Sequence, residues 1–69
     1  MNKLHFIFDK DKKNIKIKKS VFNKYKNYPI KLSKVIIVLG GDGFMLQILK
    51  KYQKYNKPFY GINTGTFGF

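Results

Sequence analysis

Val35-Ile36-Ile37-Val38-Leu39-Gly40-Gly41-Asp42-Gly43-Phe44-Met45-Leu46 joins an unbroken apolar run to a glycine turn that encloses one carboxylate. The run is branched and does not alternate, so it predicts a strand buried on both faces, as in a parallel sheet. Beyond the turn, Met45, Ile48, Leu49 and Tyr52 follow i, i+3, i+4, i+7 spacing, while Gln47, Lys50, Lys51 and Lys54 point elsewhere. That spacing predicts an amphipathic helix reaching about Tyr55. A carboxylate between the end of a buried strand and the start of a helix stands where open α/β sheets bind their ligands, which makes Asp42 the first candidate for chemistry.

Upstream, Leu4-His5-Phe6-Ile7-Phe8 has the composition of a buried strand, closed by the polar stretch Asp9 to Lys13. His5, the sole histidine, lies inside this run without a second metal-ligating residue nearby and is expected to be a packed or edge residue. From Asn14 to Tyr28 the apolar positions Ile17, Val21, Phe22, Tyr25 and Tyr28 recur at helical spacing, with Lys16, Lys18, Lys19, Lys24 and Lys26 on the outer side. Asp9 and Asp11 precede this helix, where negative charge complements its dipole, and Pro29 helps to end it. Ile30 to Lys34 is a connector.

Downstream, Asn56-Lys57-Pro58 breaks the second helix, Phe59-Tyr60-Gly61-Ile62 reads as a third strand, and Asn63-Thr64-Gly65-Thr66-Phe67-Gly68-Phe69 is a second glycine-rich loop. The order strand, helix, strand, helix, strand calls for a parallel sheet with right-handed crossovers, an α/β domain with helices in layers around the sheet. Both glycine loops would then emerge at one carboxyl edge. With three strands and no helix after the last, residues 1 to 69 are expected to form an incomplete three-layer domain, part of a longer α/β protein.

The composition sets limits. A chain of 69 residues buries only roughly 60% of its unfolded surface, so a lone core is marginal. There is no cysteine to supply a disulfide or a thiolate metal site. No signal-peptide core or membrane-length apolar run is present, and a cytoplasmic protein is expected. The net charge of +12 invites a nucleic-acid or membrane-surface reading. All fifteen basic residues are lysine, however, and the accompanying wealth of Asn, Ile, Phe and Tyr follows AT-rich codons. Arginine, the usual bidentate reader of guanine and phosphate, is absent. A solvated lysine face is the simpler account, and neither a nucleic acid nor a membrane is expected as partner.

Gly40, Gly41 and Gly43 are expected to permit positive φ angles and close ligand approach, so that backbone amides at the helix start cradle phosphate. Neither standard phosphate loop applies: Phe44 and Met45 follow Gly43 where a Walker A loop needs Lys-Ser/Thr, and Leu46 occupies the third glycine position of a dinucleotide fingerprint. The carboxylate leaves two readings open. Asp42 either hydrogen-bonds backbone amides in an Asp-Gly turn, or serves phosphoryl transfer, where a carboxylate accepts the proton of the attacking hydroxyl.

Gly40-Gly41-Asp42-Gly43 after a branched strand, followed about twenty residues later by Gly61-Ile62-Asn63-Thr64-Gly65-Thr66-Phe67-Gly68-Phe69, resembles the amino-terminal part of the NAD kinases. The first motif is shared with diacylglycerol and sphingosine lipid kinases and with phosphofructokinases; the second is much more particular to NAD kinases. The motifs cover residues 35 to 69, and residues 1 to 34 match in layout. The resemblance implies transfer of a phosphoryl group from ATP, or from polyphosphate in some bacterial members, to the adenosine ribose 2′-hydroxyl of NAD. It implies Asp42 as the catalytic base, Gly40 and Gly41 as shapers of the phosphate-facing turn, and Gly43 as a substrate contact. Asn63 would be a nucleotide-site residue and Phe69 would lie against the adenine ring. Magnesium would accompany ATP without an assigned protein ligand, and the full-length enzyme would be a homo-oligomer. Phe44 replaces a threonine common in the family, losing a hydroxyl contact, and Gln47 stands where many members carry a basic or small polar residue.

The rivals are a diacylglycerol-type lipid kinase, which shares the first motif, and a lysine-rich module for nucleic acid or membrane. The family completes its NAD site with an Asn-Glu or Asn-Asp loop and a carboxyl-terminal β-rich domain, neither of which is found in residues 1 to 69. The 69-residue chain alone is therefore expected to make no NADP from NAD and ATP; NADP formation by the purified chain, abolished by Asp42→Asn, would overturn this.

Overall fold

The computed structural model describes residues 3–10 and 13–64. The elements are β1 (Leu4–Phe8), α1 (Lys13–Lys24), β2 (Val35–Gly40), α2 (Asp42–Tyr52), a single 3-10 turn (Gln53–Tyr55) and β3 (Phe59–Asn63). The three strands form one parallel sheet in the order β1-β2-β3. The β-α-β-α-β order and the three-layer α/β class expected from sequence are both present.

Because β2 lies in the middle, its branched side chains fill both faces. Ile37 and Leu39 join Phe6 on one face, where Ile17, Val21 and Phe22 of α1 pack against them. Ile36 and Val38 join Ile48 on the other, with Phe44, Met45 and Tyr52 of α2. The Phe22 ring stands edge-on to both Phe6 and Phe8, with centroids 5.8 and 5.5 Å away. Such edge-to-face pairs add about 0.5–1.5 kcal/mol beyond the area they bury.

Two simple crossovers of one hand, both stepping the same way along the sheet, would stack both helices on one face. Here α1 and α2 lie on opposite faces, so the two connections are not both the plain right-handed crossovers expected. After α1 the chain runs along the outer edge of β1: the Tyr28 amide donates to Leu4 O at 3.0 Å, and Asn27 Oδ1 accepts from the Phe6 amide at 2.8 Å. His5 Nδ1 donates to the Tyr28 carbonyl at 2.8 Å, which makes His5 the edge residue it was expected to be. The chain then turns through Pro29 to Ser33, placing Ile30 against the α2 face before β2 begins.

This detour also corrects the length of α1. The helix stops at Lys24 instead of continuing to Tyr28, because Asn27 and Tyr28 bond to the edge of β1 and Pro29 disfavours helical geometry before it. Tyr25 still bonds back to Val21 O at 2.8 Å, and its ring centroid lies 6.1 Å from that of Phe6 although the residue is exposed. In α2 the expected apolar face is narrower at one position. Ile48 is buried, whereas Leu49 is exposed, and Phe44 packs on the same cluster as Ile48. Lys16, Lys18, Lys19, Lys24 and Lys26 are exposed, as expected. Among the described residues no helix is long and apolar enough to cross a membrane.

At the opposite end of the sheet from the glycine turns, Lys57 Nζ donates to Ile30 O at 2.6 Å, Lys31 O at 3.1 Å and Ser33 O at 2.5 Å. One ammonium thus satisfies three carbonyls of the connector and ties it to the residues leading into β3. The helical run ends at Asn56, whose φ of 55° is the left-handed conformation that asparagine tolerates. Lys57→Met keeps the aliphatic stem and removes the donors; it is expected to cost about 1–3 kcal/mol, read as a lowered midpoint in thermal or urea unfolding. At the other end, a Cβ on Gly40 would stand 2.6 Å from Phe44 Cδ2 and 3.0 Å from Asp9 Cβ. Gly40→Ala is expected to destabilise by about 1–3 kcal/mol, with part of the loss recovered by Phe44→Leu in the same unfolding assay.

Candidate functional site

The carboxyl ends of β2 and β3 meet in register, with Gly40 opposite Asn63. One residue further, the Thr64 amide donates to Gly40 O at 3.0 Å, extending the ladder past the last strand residue. The two glycine-rich segments are therefore joined by backbone bonds at the same edge, as the parallel topology predicted. On the other side of β2, the Asp9 amide donates to Leu39 O at 2.9 Å, so the end of β1 reaches the same edge.

Asp42 is the first residue of α2, with Gly41 as the extended residue before it (φ −83°, ψ 177°). Its carboxylate is exposed and lies in the first turn, where the unpaired amides and the helix dipole favour negative charge. Asn63 Nδ2 donates to Asp42 Oδ1 at 2.9 Å. A side chain from each motif thus meets the other across the β2–β3 edge. The turn reading of Asp42 looked to the amides of its own turn; the observed side-chain partner comes from β3.

Gly40, Gly41 and Gly43 do not take the positive φ angles expected of them. Gly40 is required by close packing, since the Phe44 ring and Asp9 occupy the space a side chain would need. Gly41 and Gly43 face open space, with nothing within 4 Å of where a side chain would begin. Their bareness leaves the start of α2 accessible to a ligand without a side chain in the way.

Phe44 packs with the Ile36 and Val38 cluster and touches Gly40, so this departure from the family pattern is a core residue supporting the turn. Gln47 is exposed on α2. Phe69, the expected adenine-facing residue, lies outside the described residues. Sequence reasoning missed Thr64 and Asp9. Thr64 is buried, its Oγ1 without a hydrogen-bond partner among the described residues, and Asp9 stands beside Gly40 although its placement before α1 had suggested a dipole role. The signal available for Thr64 was its adjacency to Asn63 in the second motif. For Asp9 it was the equal standing of all parallel strand ends at one edge. A concavity of about 540 Å³ lined by Ile15, Lys18, Lys19, Phe22 and Asn23 lies along α1, which packs on the face opposite α2.

The family model described as the ATP-NAD kinase N-terminal domain matches residues 3–69. Similar curated proteins include those named NAD kinase from Rickettsia canadensis, 39% identical, Rickettsia prowazekii, 38% identical, and Rickettsia felis, 36% identical, each over all 69 residues of this chain. The chain spans 27% of the length of these relatives. No solved structure gives a significant match. The family match takes in both glycine motifs and every element that carries them, and on that extent the chain belongs to the ATP-NAD kinase N-terminal domain family.

Proposed function

We propose that this chain supplies the first part of the active site of an enzyme that transfers a phosphoryl group from ATP or polyphosphate to the adenosine ribose 2′-hydroxyl of NAD, giving NADP. The observation that carries this reading is the 2.9 Å bond between Asn63 and Asp42, which gathers one polar residue from each family motif at the carboxyl edge of the sheet. Asp42 accepts the proton of the ribose hydroxyl as that oxygen attacks the terminal phosphorus and the donor's bridging P–O bond breaks, releasing ADP or the shortened polyphosphate. Its exposure gives a substrate access, and the helix start behind it holds the carboxylate in a favourable field. Gly41 and Gly43 let phosphate oxygens approach the first amides of α2. Phe69 is assigned against the adenine ring, where stacking adds affinity.

Among the described residues no group of three or more His, Cys, Asp or Glu could hold a metal ion. The magnesium ion of this reading travels with the nucleotide, bound largely by phosphate oxygens and water. Such an ion would neutralise charge on the transferring group; the work of this chain is to orient the hydroxyl and take its proton. The same reading makes the full-length protein a cytoplasmic homo-oligomer with NAD and the phosphoryl donor as its ligands. The exposed lysines of α1 then serve as a solvated face, without a role for lipid or nucleic acid.

The test is a chimera in which residues 1–69 replace the matching segment of the Rickettsia canadensis NAD kinase. NADP formation from NAD and ATP is expected, with Asp42→Asn lowering kcat by more than about 100-fold. An Asp42→Asn chimera that retains full kcat would remove Asp42 as the base, and phosphorylation of diacylglycerol without NADP formation would replace the substrate.

A further inference from the structure

Resting on the reading of Asp42 as the base, we infer that Asn63 is a positioning residue that acts through Asp42 and is not a ligand of the nucleotide. A carboxylate at the first residue of a helix has nearby competitors, namely the amides of its own first turn, which have no partner within the helix. The positive end of the helix also attracts the carboxylate toward those amides. The Asn63 amide opposes this by holding Oδ1 on the β3 side at 2.9 Å. Because a carboxylate only accepts, the Asn63 nitrogen faces Asp42, and Oδ2 is the oxygen this bond leaves for a substrate hydroxyl.

The holder is itself fixed. Asn63 is the last residue of β3, paired with Gly40, and the next residue is locked by the bond from the Thr64 amide to Gly40 O and by the burial of Thr64. Gly40 cannot shift easily, with Phe44 and Asp9 packed against it. Asp42, only two residues beyond Gly40, and Asn63, its partner across the ladder, are thus referred to one rigid point. That arrangement serves orientation of the base, since a small displacement of a reacting group carries a large rate penalty.

The experiment uses the same chimera with Asn63→Ala and the isosteric Asn63→Asp, each also built on Asp42→Asn, with folding checked by circular dichroism and thermal midpoint. Asn63→Ala is expected to lower kcat on the order of 10-fold to 100-fold and to leave the KM for NAD within about twofold. Asn63→Asp, which keeps the volume but presents an acceptor to an acceptor, is expected to lose at least as much. In the Asp42→Asn background neither change should cost further activity, because groups acting as a unit are not additive. A raised KM with unchanged kcat, or an equal loss in the Asp42→Asn background, would overturn the positioning role and make Asn63 a nucleotide contact. Either outcome leaves the assignment of Asp42 standing, which fails only if Asp42→Asn itself keeps full kcat.

Discussion

β2 is bonded to a neighbour along both edges and covered on both faces, and this double burial governs everything around it. Within Val35 to Leu39 there is no polar side chain, and none could be placed there without an unpaired group in the core. Polar chemistry is therefore confined to the end of the strand, where the chain first meets solvent. The transition is abrupt: Leu39 is almost wholly buried, whereas Asp42 is exposed. Gly40 makes the abruptness possible by letting Phe44 fold back over the strand end, so that α2 begins within two residues of β2 and still covers Ile36 and Val38.

The rest of the sheet brings partners to that strand end. β3 reaches it through the register that sets Asn63 opposite Gly40, and β1 reaches it through the Asp9 amide on Leu39 O. Gly61 contributes from within β3, since a Cβ there would stand 2.9 Å from Met45 Sδ and would press on the side of α2. The site is thus a property of strand order and close packing. Its polar side chains are few, and their positions are inherited from the apolar layer beneath them.

Strand positions were legible in the sequence because apolar runs bounded by polar or glycine segments have few alternatives, and both β1 and β2 lie where those runs are. The parallel pairing followed from the helices between them. The end of α1 was not legible, since Tyr25 and Tyr28 continue a helical spacing that is broken only by the demand of the β1 edge for bonds from Asn27 and Tyr28. The route of the chain between α1 and β2 escaped for the same reason, as it follows that detour. Leu49 was misplaced because periodicity gives a face but not its width, and the packed face runs through Phe44, Met45, Ile48 and Tyr52. At the site, Asp42 and Asn63 stood out by residue type and motif, yet their bond depends on register, which spacing along the chain does not encode. The role of Gly40 was likewise hidden, because a packing glycine and a turn glycine look the same in sequence.

The edge of β1 has a consequence for how this sheet can be extended. Asn27 and Tyr28 occupy the outward-facing amide of Phe6 and carbonyl of Leu4, and the Lys34 amide takes Lys3 O, so a further strand finds that side already engaged. Among the described residues β3 has no neighbour on its outer edge. The open edge for growth of the sheet, whether by more of the same polypeptide or by another chain, is that of β3, the strand that carries Asn63.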